Sequence, residues 1–219
     1  MKIIVLADIH GCLDYLPGIA RELADADLVL LAGDITMFGG EAQVQRVIEA
    51  LETHNQNILA VHGNCDLPAV EDHLRACEID LDCRCVSRGG VVFAGLGGAL
   101  PCPGSSPNES SETLLAERLA EIKPALREAG AFVFLTHQPP AGTKVDGVEG
   151  RHTGSTAIRE FILDMRPILA VSGHMHEAFG TDMLGGTLLV NPGPFRHGRY
   201  AVIELEDGRV RSTSLFPRE

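Results

Sequence analysis

No stretch of this chain approaches the roughly 20 consecutive apolar residues that a bilayer-spanning helix requires, so no membrane segment is expected among its 219 residues. The opening apolar stretch, residues 2–7, stops at Asp8, too soon for a signal-peptide core, and no small-residue cleavage pattern follows. A cytoplasmic protein without a membrane partner is the expectation. Basic residues are scarce: 18 Lys and Arg stand against 30 Asp and Glu, giving a net charge of −12, and no Lys/Arg cluster offsets it. Such a charge disfavours polyanions, so stable nucleic-acid binding is not expected. Cysteines number six, Cys12, Cys65, Cys77, Cys83, Cys85 and Cys102, with no Cys-x-x-Cys pair. A chain of this length builds its core without covalent staples. Reduced thiols are therefore expected, in preference to disulfides or a zinc site at Cys77, Cys83, Cys85 and Cys102. Internal repeats are also lacking. With 45% hydrophobic residues and ordinary Gly and Pro contents, the composition is that of a globular chain, read as one domain over residues 1–219.

What the chain does have is a series of short apolar runs, at residues 2–7, 28–32, 58–61, 91–94, 131–135 and 168–171. Flat in hydrophobicity and bounded by turn residues, they read as buried strands of a mainly parallel sheet. All but the run at 91–94 break off into metal-ligand chemistry: Asp8 and His10, Gly33-Asp34, Gly63-Asn64-Cys65-Asp66, Thr136-His137, and Gly173-His174-Met175-His176. Ligands of such sheets bind beyond the carboxyl ends of the strands. Five strands would thus bring Asp8, His10, Asp34, Asn64, His137, His174 and His176 to one edge. Imidazole, carboxylate and amide oxygen suit first-row transition ions, and seven donors are too many for one ion and suit two.

Taken in order, Asp8-x-His10, Gly33-Asp34, Gly63-Asn64-x-Asp66, His137 and Gly173-His174-x-His176 resemble the motif set of the calcineurin-like metallophosphoesterases. The turn Asn191-Pro192-Gly193-Pro194 is similar to one in compact bacterial and archaeal members. Each motif alone is weak; five in order, each at a strand end, are specific. The resemblance implies Asp8, His10 and His176 on one metal, Asn64, His137 and His174 on the other, and Asp34 bridging them. The implied cofactors are two divalent transition-metal ions, manganese favoured, with iron, zinc, nickel and cobalt also compatible. The implied reaction is in-line attack on a phosphate ester by a hydroxide shared between the ions, with Asp8, Asp34, Asn64, His137, His174 and His176 as the catalytic set. A small phosphate ester or a nucleotide would be the substrate.

One position departs from the family pattern. Many members carry a histidine where this chain has Cys65, and a thiol is a poor substitute for an imidazole as proton donor to a leaving group. Members with cysteine there resemble phosphodiesterases acting on activated diesters, so a diesterase is the favoured reading. A phosphomonoesterase or nucleotidase, and a catalytically weak scaffold of the retromer-subunit type, are the alternatives.

Between the strands, apolar spacing predicts helices over residues 41–53, 112–129 and 155–165, with Pro124 kinking or splitting the second and Gly130 ending it. Further strands are expected at 187–190, 199–206 and 209–215, the last two turned at Asp207-Gly208. Two packed sheets with helices outside, a four-layer αββα sandwich of the α/β class, follow from this pattern and from the resemblance. Residues 86–93 and the C-terminal strands are assigned to the second sheet. Residues 101–111 read as a mobile loop over the site. The segment 138–154 must pass the substrate, with Arg151 and His152 as substrate-binding candidates. Ser155 is the expected cap of a helix whose free amides could receive a phosphate oxygen.

Overall fold

The strand runs are flat in hydrophobicity because both faces of each strand are covered. In the computed structural model, which describes residues 1–217, the first half of the chain forms β1 (Lys2–Leu6), α1 (Ala20–Ala24), β2 (Leu28–Ala32), α2 (Glu41–Glu52), β3 (Ile58–Val61) and α3 (Pro68–Ala76). It continues through β4 (Cys85–Arg88), β5 (Val91–Leu96), α4 (Glu112–Ala129), β6 (Phe132–Thr136), the short strands β7 (Gly147–Val148) and β8 (Arg151–His152), α5 (Thr156–Met165) and β9 (Leu169–Val171). The last part carries four strands, β10 (Gly180–Leu184), β11 (Thr187–Asn191), β12 (Tyr200–Glu206) and β13 (Arg209–Phe216), with one 3-10 turn, Phe195–His197, between β11 and β12.

Two large sheets result, ordered β13-β12-β1-β2-β3 and β10-β11-β9-β6-β5-β4. Their centres are parallel, β1 with β2 and β2 with β3 in one, β5 with β6, β6 with β9 and β9 with β11 in the other. Alternate residues point to opposite faces of a strand, and each face has its own core. Ile3, Val5, Leu30, Leu59 and Val61 meet Phe93, Val133, Leu135 and Val171 between the sheets. Ile4, Leu6, Val29 and Leu31 pack outward on Val44, Val47, Ile48 and Leu51 of α2. Phe132 and Phe134 pack outward on Leu115, Leu119 and Ile122 of α4 and Phe161 of α5. This is the four-layer sandwich.

Several expectations are corrected. The strands β12 and β13 join the first sheet, β12 lying antiparallel on β1 with Ile203 opposite Ile3. Their inward residues Ala201, Ile203 and Leu205 complete the core between the sheets, while Glu204 and Glu206 stay exposed. Residues 86–93 are parts of two strands, because the chain reverses at Gly89-Gly90 and β4 pairs antiparallel with β5. Pro124 does not split α4, which runs unbroken over 18 residues to Gly130. Residues 101–111 are stitched to the third motif, the Asn108 amide donating to the Asn64 carbonyl at 3.2 Å. The short α3 buries Val70 and Leu74, one turn apart, and β10 buries only Leu184.

Candidate metal centre

Strand ends from both sheets converge on one point. Asp8 and His10 follow β1, Asp34 follows β2, Asn64 follows β3, His137 follows β6, and His174 and His176 follow β9. Asp8, His10, Asp34 and His174 all adopt left-handed backbone, with φ of 52°, 49°, 49° and 66°. For residues with a Cβ this costs on the order of 1–3 kcal/mol each, and such strain collects at functional sites. Backbone bonds between strand ends hold it in place: Asp8 N to Gly33 O at 3.1 Å, His10 N to Asp34 O at 2.8 Å, and Gly173 N to His137 O at 3.1 Å. Two glycines make the convergence possible. A Cβ at Gly63 would lie 2.1 Å from Asp34 Oδ1, and one at Gly33, where φ is +83°, would lie 2.4 Å from His137 Nδ1.

The donor atoms sit at the spacing of ligands around cations. One ligand atom each of Asp8, His10 and His176 lie within 4.8 Å of one another, as do those of Asp8, Asp34 and His137. Asp34 spans the two groups, with Oδ2 3.7 Å from His10 Nε2 and Oδ1 3.5 Å from His137 Nε2. Asn64 Oδ1 is 2.9 Å from His137 Nε2, and the His174 ring lies 4.9 Å from the His137 ring. His137 Nδ1 is 2.8 Å from the Ala32 carbonyl; donation there leaves Nε2 with its lone pair for a metal. Both ring nitrogens of His10 are buried without a hydrogen-bond partner among the described residues. Such orphans are costly, and a cation between the carboxylates and imidazoles removes the cost. The residues present therefore fit a metal pair.

Protonation divides the four imidazoles. Burial pushes His10 down and His174 down to about 4, so these imidazoles offer bare nitrogens. Burial also opposes charge on His137, but the Asp34 carboxylate outweighs it and raises the ring to about 9. Asp34 in turn resists burial through His137 and His10, which hold its carboxyl well below the usual carboxylate range. The hydrogen bond to Asp8 raises His176. Cations and these protons compete for the same atoms, so metal binding releases protons.

Comparison with known proteins decides the family. The profile of the calcineurin-like phosphoesterase superfamily domain matches residues 1–208. The chain belongs to that superfamily. It is 34% identical over 200 residues to the uncharacterized protein MJ1162 of Methanocaldococcus jannaschii, covering 89% of this chain and 88% of the relative. Among solved structures, TT1561 of Thermus thermophilus aligns with a TM-score of 0.77 at 19% identity over 97% of each chain. A dimetal phosphatase from Danio rerio aligns at 0.65 and 13% identity over 98% of each. At these identities the two structures bear on the fold alone. Superfamily membership makes the chain a phosphoesterase-type, metal-dependent hydrolase.

Beside the metal centre of this phosphoesterase lies a cleft of about 460 Å³, lined by His174, His176, Arg151 and Gln138 and by the apolar Leu100, Pro101, Pro103, Val148 and Met175. Arg151 is thus brought to the cleft wall. His152 is placed elsewhere: its Nδ1 is 2.7 Å from Asp146 Oδ1, and it does not line the cleft. Asp146, fully buried, also accepts from the amides of Gly142, Thr143 and Gly154 and shapes the whole segment. Ser155 does cap α5, accepting from Ile158 N at 3.2 Å. The amides behind it are not free, however. Glu112 takes Thr156 N at 2.7 Å, Ala157 N at 3.0 Å and Ser155 Oγ at 2.7 Å. An internal carboxylate occupies the anion position that helix dipoles favour, which corrects the expectation of a phosphate site there.

Cys65 lies beside the metal centre, one ligand atom each of His10, Asp34 and Cys65 falling within 4.8 Å of one another. Burial, reinforced by the Asp34 charge, pushes its thiol up far beyond the ordinary range. Asp66, three residues on from Gly63, turns out to be a staple. It is fully buried and accepts from Ile35 N at 3.1 Å, Thr36 N at 2.7 Å, Thr36 Oγ1 at 2.8 Å and Gly63 N at 2.8 Å. The second and third motifs are locked together through it. Its place inside a ligand motif was the only sequence signal for this.

Proposed function

We propose that the chain is a binuclear metal-dependent phosphodiesterase. The observation that carries this reading is the convergence of Asp8, His10, Asp34, Asn64, His137, His174 and His176 from five strand ends, with donor atoms at ligand spacing and an imidazole otherwise left unsatisfied. Asp8, His10 and His176 would hold one ion and Asn64, His137 and His174 the other, with Asp34 shared between the two groups. Manganese suits this oxygen and nitrogen set, with iron, zinc, nickel or cobalt as substitutes. Two such ions, when bound, supply Lewis acidity and an acidified water for phosphoester hydrolysis.

The remaining work falls to the chain. His137 is fixed in its ring orientation by Ala32, and the amide of His174 donates to both Asp8 oxygens at 3.2 and 3.1 Å, fixing that carboxylate. Preorganisation of this kind aligns the reacting groups in advance. The organic part of the substrate lies along the apolar wall of the cleft, and Arg151 binds a phosphate oxygen at its rim. His152 supports that segment through Asp146. Diester preference rests on Cys65: a thiol stands where an imidazole would serve as general acid, and as a poor proton donor to the leaving group it favours substrates with acidic leaving groups. All six cysteines are free, which suits a reducing, cytoplasmic setting.

The test is hydrolysis of bis(p-nitrophenyl) phosphate against p-nitrophenyl phosphate by manganese-loaded protein. Metal-dependent turnover with the diester preferred is expected. Faster monoester turnover would point to a phosphomonoesterase, and metal-loaded protein without turnover of either would point to a scaffold.

A further inference from the structure

We propose that Ser106 and Glu109, in the segment between β5 and α4, are positioning residues that determine which end of the Asn64 carboxamide faces the metal centre. The inference rests on the binuclear reading above. The two ends of a carboxamide are almost the same size, but only the oxygen carries lone pairs that a cation can use; the NH₂ end presents two protons. An Asn64 flipped by half a turn about its last bond would fill the same space and repel the ion. Its polarity must therefore be set by its neighbours.

A chain of donors and acceptors does so. Asn64 Oδ1 faces the centre, 2.9 Å from His137 Nε2. On the opposite side Asn64 Nδ2 lies 2.9 Å from Ser106 Oγ. Ser106 has a single hydroxyl proton, and Glu109 Oε1 takes it at 2.7 Å. The same carboxylate oxygen accepts from Ser106 N at 2.8 Å and from Cys102 N and Sγ, both at 3.3 Å. An ionised carboxylate accepts only. With its one proton committed to Glu109, the Ser106 oxygen offers Asn64 nothing but lone pairs, and only the NH₂ end of Asn64 can meet them. The charge on Glu109 thus fixes the orientation of a metal-ligand oxygen two hydrogen bonds away.

The surrounding backbone keeps this relay in register. Asn108 N donates to Asn64 O at 3.2 Å, and the Asn108 side chain donates to the carbonyls of Gly63, at 3.4 Å, and Asp66. The hydrogen bond from Ser106 and those from Cys102 hold the Glu109 carboxyl below its ordinary range, consistent with an acceptor that stays ionised. Groups that orient metal ligands from behind are worth about tenfold to a hundredfold in metal affinity.

Calorimetric titration of metal-free protein with Mn²⁺, with the absorption spectrum of the Co²⁺-loaded protein as a second readout, tests the relay. Ser106→Ala should weaken one of the two ions by about tenfold to a hundredfold and change the Co²⁺ bands. It should leave the other ion and the melting temperature of the metal-free protein close to wild type. Ser106→Thr, which keeps the hydroxyl, should restore both, and Glu109→Gln, whose amide can donate or accept, should give an intermediate loss in the same ion. Wild-type affinity for both ions in Ser106→Ala and Glu109→Gln, alongside loss of an ion in Asn64→Ala, would overturn the relay and leave the binuclear reading standing. Loss in Ser106→Ala that threonine does not recover would also overturn it. If Asn64→Ala itself kept both ions, the relay would fall together with the ligand assignment beneath it.

Discussion

Replacing Asp66 with alanine should unfold the protein far more readily without removing a metal ligand. Its carboxylate satisfies the amides of Ile35, Thr36 and Gly63 and the hydroxyl of Thr36, in a place without solvent access. Each buried donor left without an acceptor costs about 1–3 kcal/mol, and the hydroxyl can turn elsewhere. Three amides would give roughly 3–9 kcal/mol. Holding the charge has a cost of its own, since burial and then the Asp34 charge push Asp66 up to about 6. The lower half, roughly 3–6 kcal/mol, is therefore expected. The assay is urea unfolding of metal-free protein at neutral pH, followed by circular dichroism. Asp66→Asn keeps one acceptor oxygen and should fall between alanine and wild type. A raised folded-state pKa means that ionisation of Asp66 weighs against the folded state. Its contribution is full below 3.8 and declines as pH rises through about 6, a decline that Asp66→Asn should lack. A loss below about 1 kcal/mol in Asp66→Ala would refute the staple.

Three further outcomes are expected. Glu112→Ala strips the acceptor from the first amides of α5 and should lower stability by about 1–2 kcal/mol, or a few degrees in Tm, in a thermal melt. Burial works against ionisation of Glu112 but Ser155 and the α5 amides prevail and depress its pKa, so the difference from wild type should be full at neutral pH and shrink as pH falls through the usual carboxylate range. Cys65→His should speed substrates with basic leaving groups by roughly tenfold to a hundredfold, read as rate against leaving-group pKa; a wild-type slope already as flat as the mutant's would mean that another group supplies the proton. Mn²⁺ at about a hundred times its Kd should stabilise the folded state by about 2.7 kcal/mol per site, and an unchanged melt would contradict binding to the folded form.

The candidate metal centre is legible in the sequence because its proposed ligands sit at the ends of apolar runs. Asp8, Asp34 and His137 each follow a strand buried on both faces, so hydrophobic pattern places each at a strand end, while the meeting of ends from two sheets comes from how the sheets pack. Sheet membership is less legible. Ala201, Ile203 and Leu205 announce a half-buried strand, but nothing local says whether β12 pairs with β1 or with β11; the open edge beside β1 decides it. The polar scaffolding is the least legible part. Glu112 reads as an ordinary first-turn residue of α4, and only the approach of α5 reveals that it fills that helix's amide end. Ser106 and Glu109 lie in a Pro, Gly and Ser-rich stretch with no periodicity, and the contact of Ser106 with Asn64 spans 42 positions in sequence.

The most direct test of the binuclear centre is the manganese content of reconstituted wild-type and Asp34→Ala protein, measured by elemental analysis after removal of free metal. The account predicts two ions per wild-type chain and collapse of both sites in Asp34→Ala, because that carboxylate stands between His10 and His137. One ion or none in wild type, or two ions held with unchanged affinity by Asp34→Ala, would contradict it.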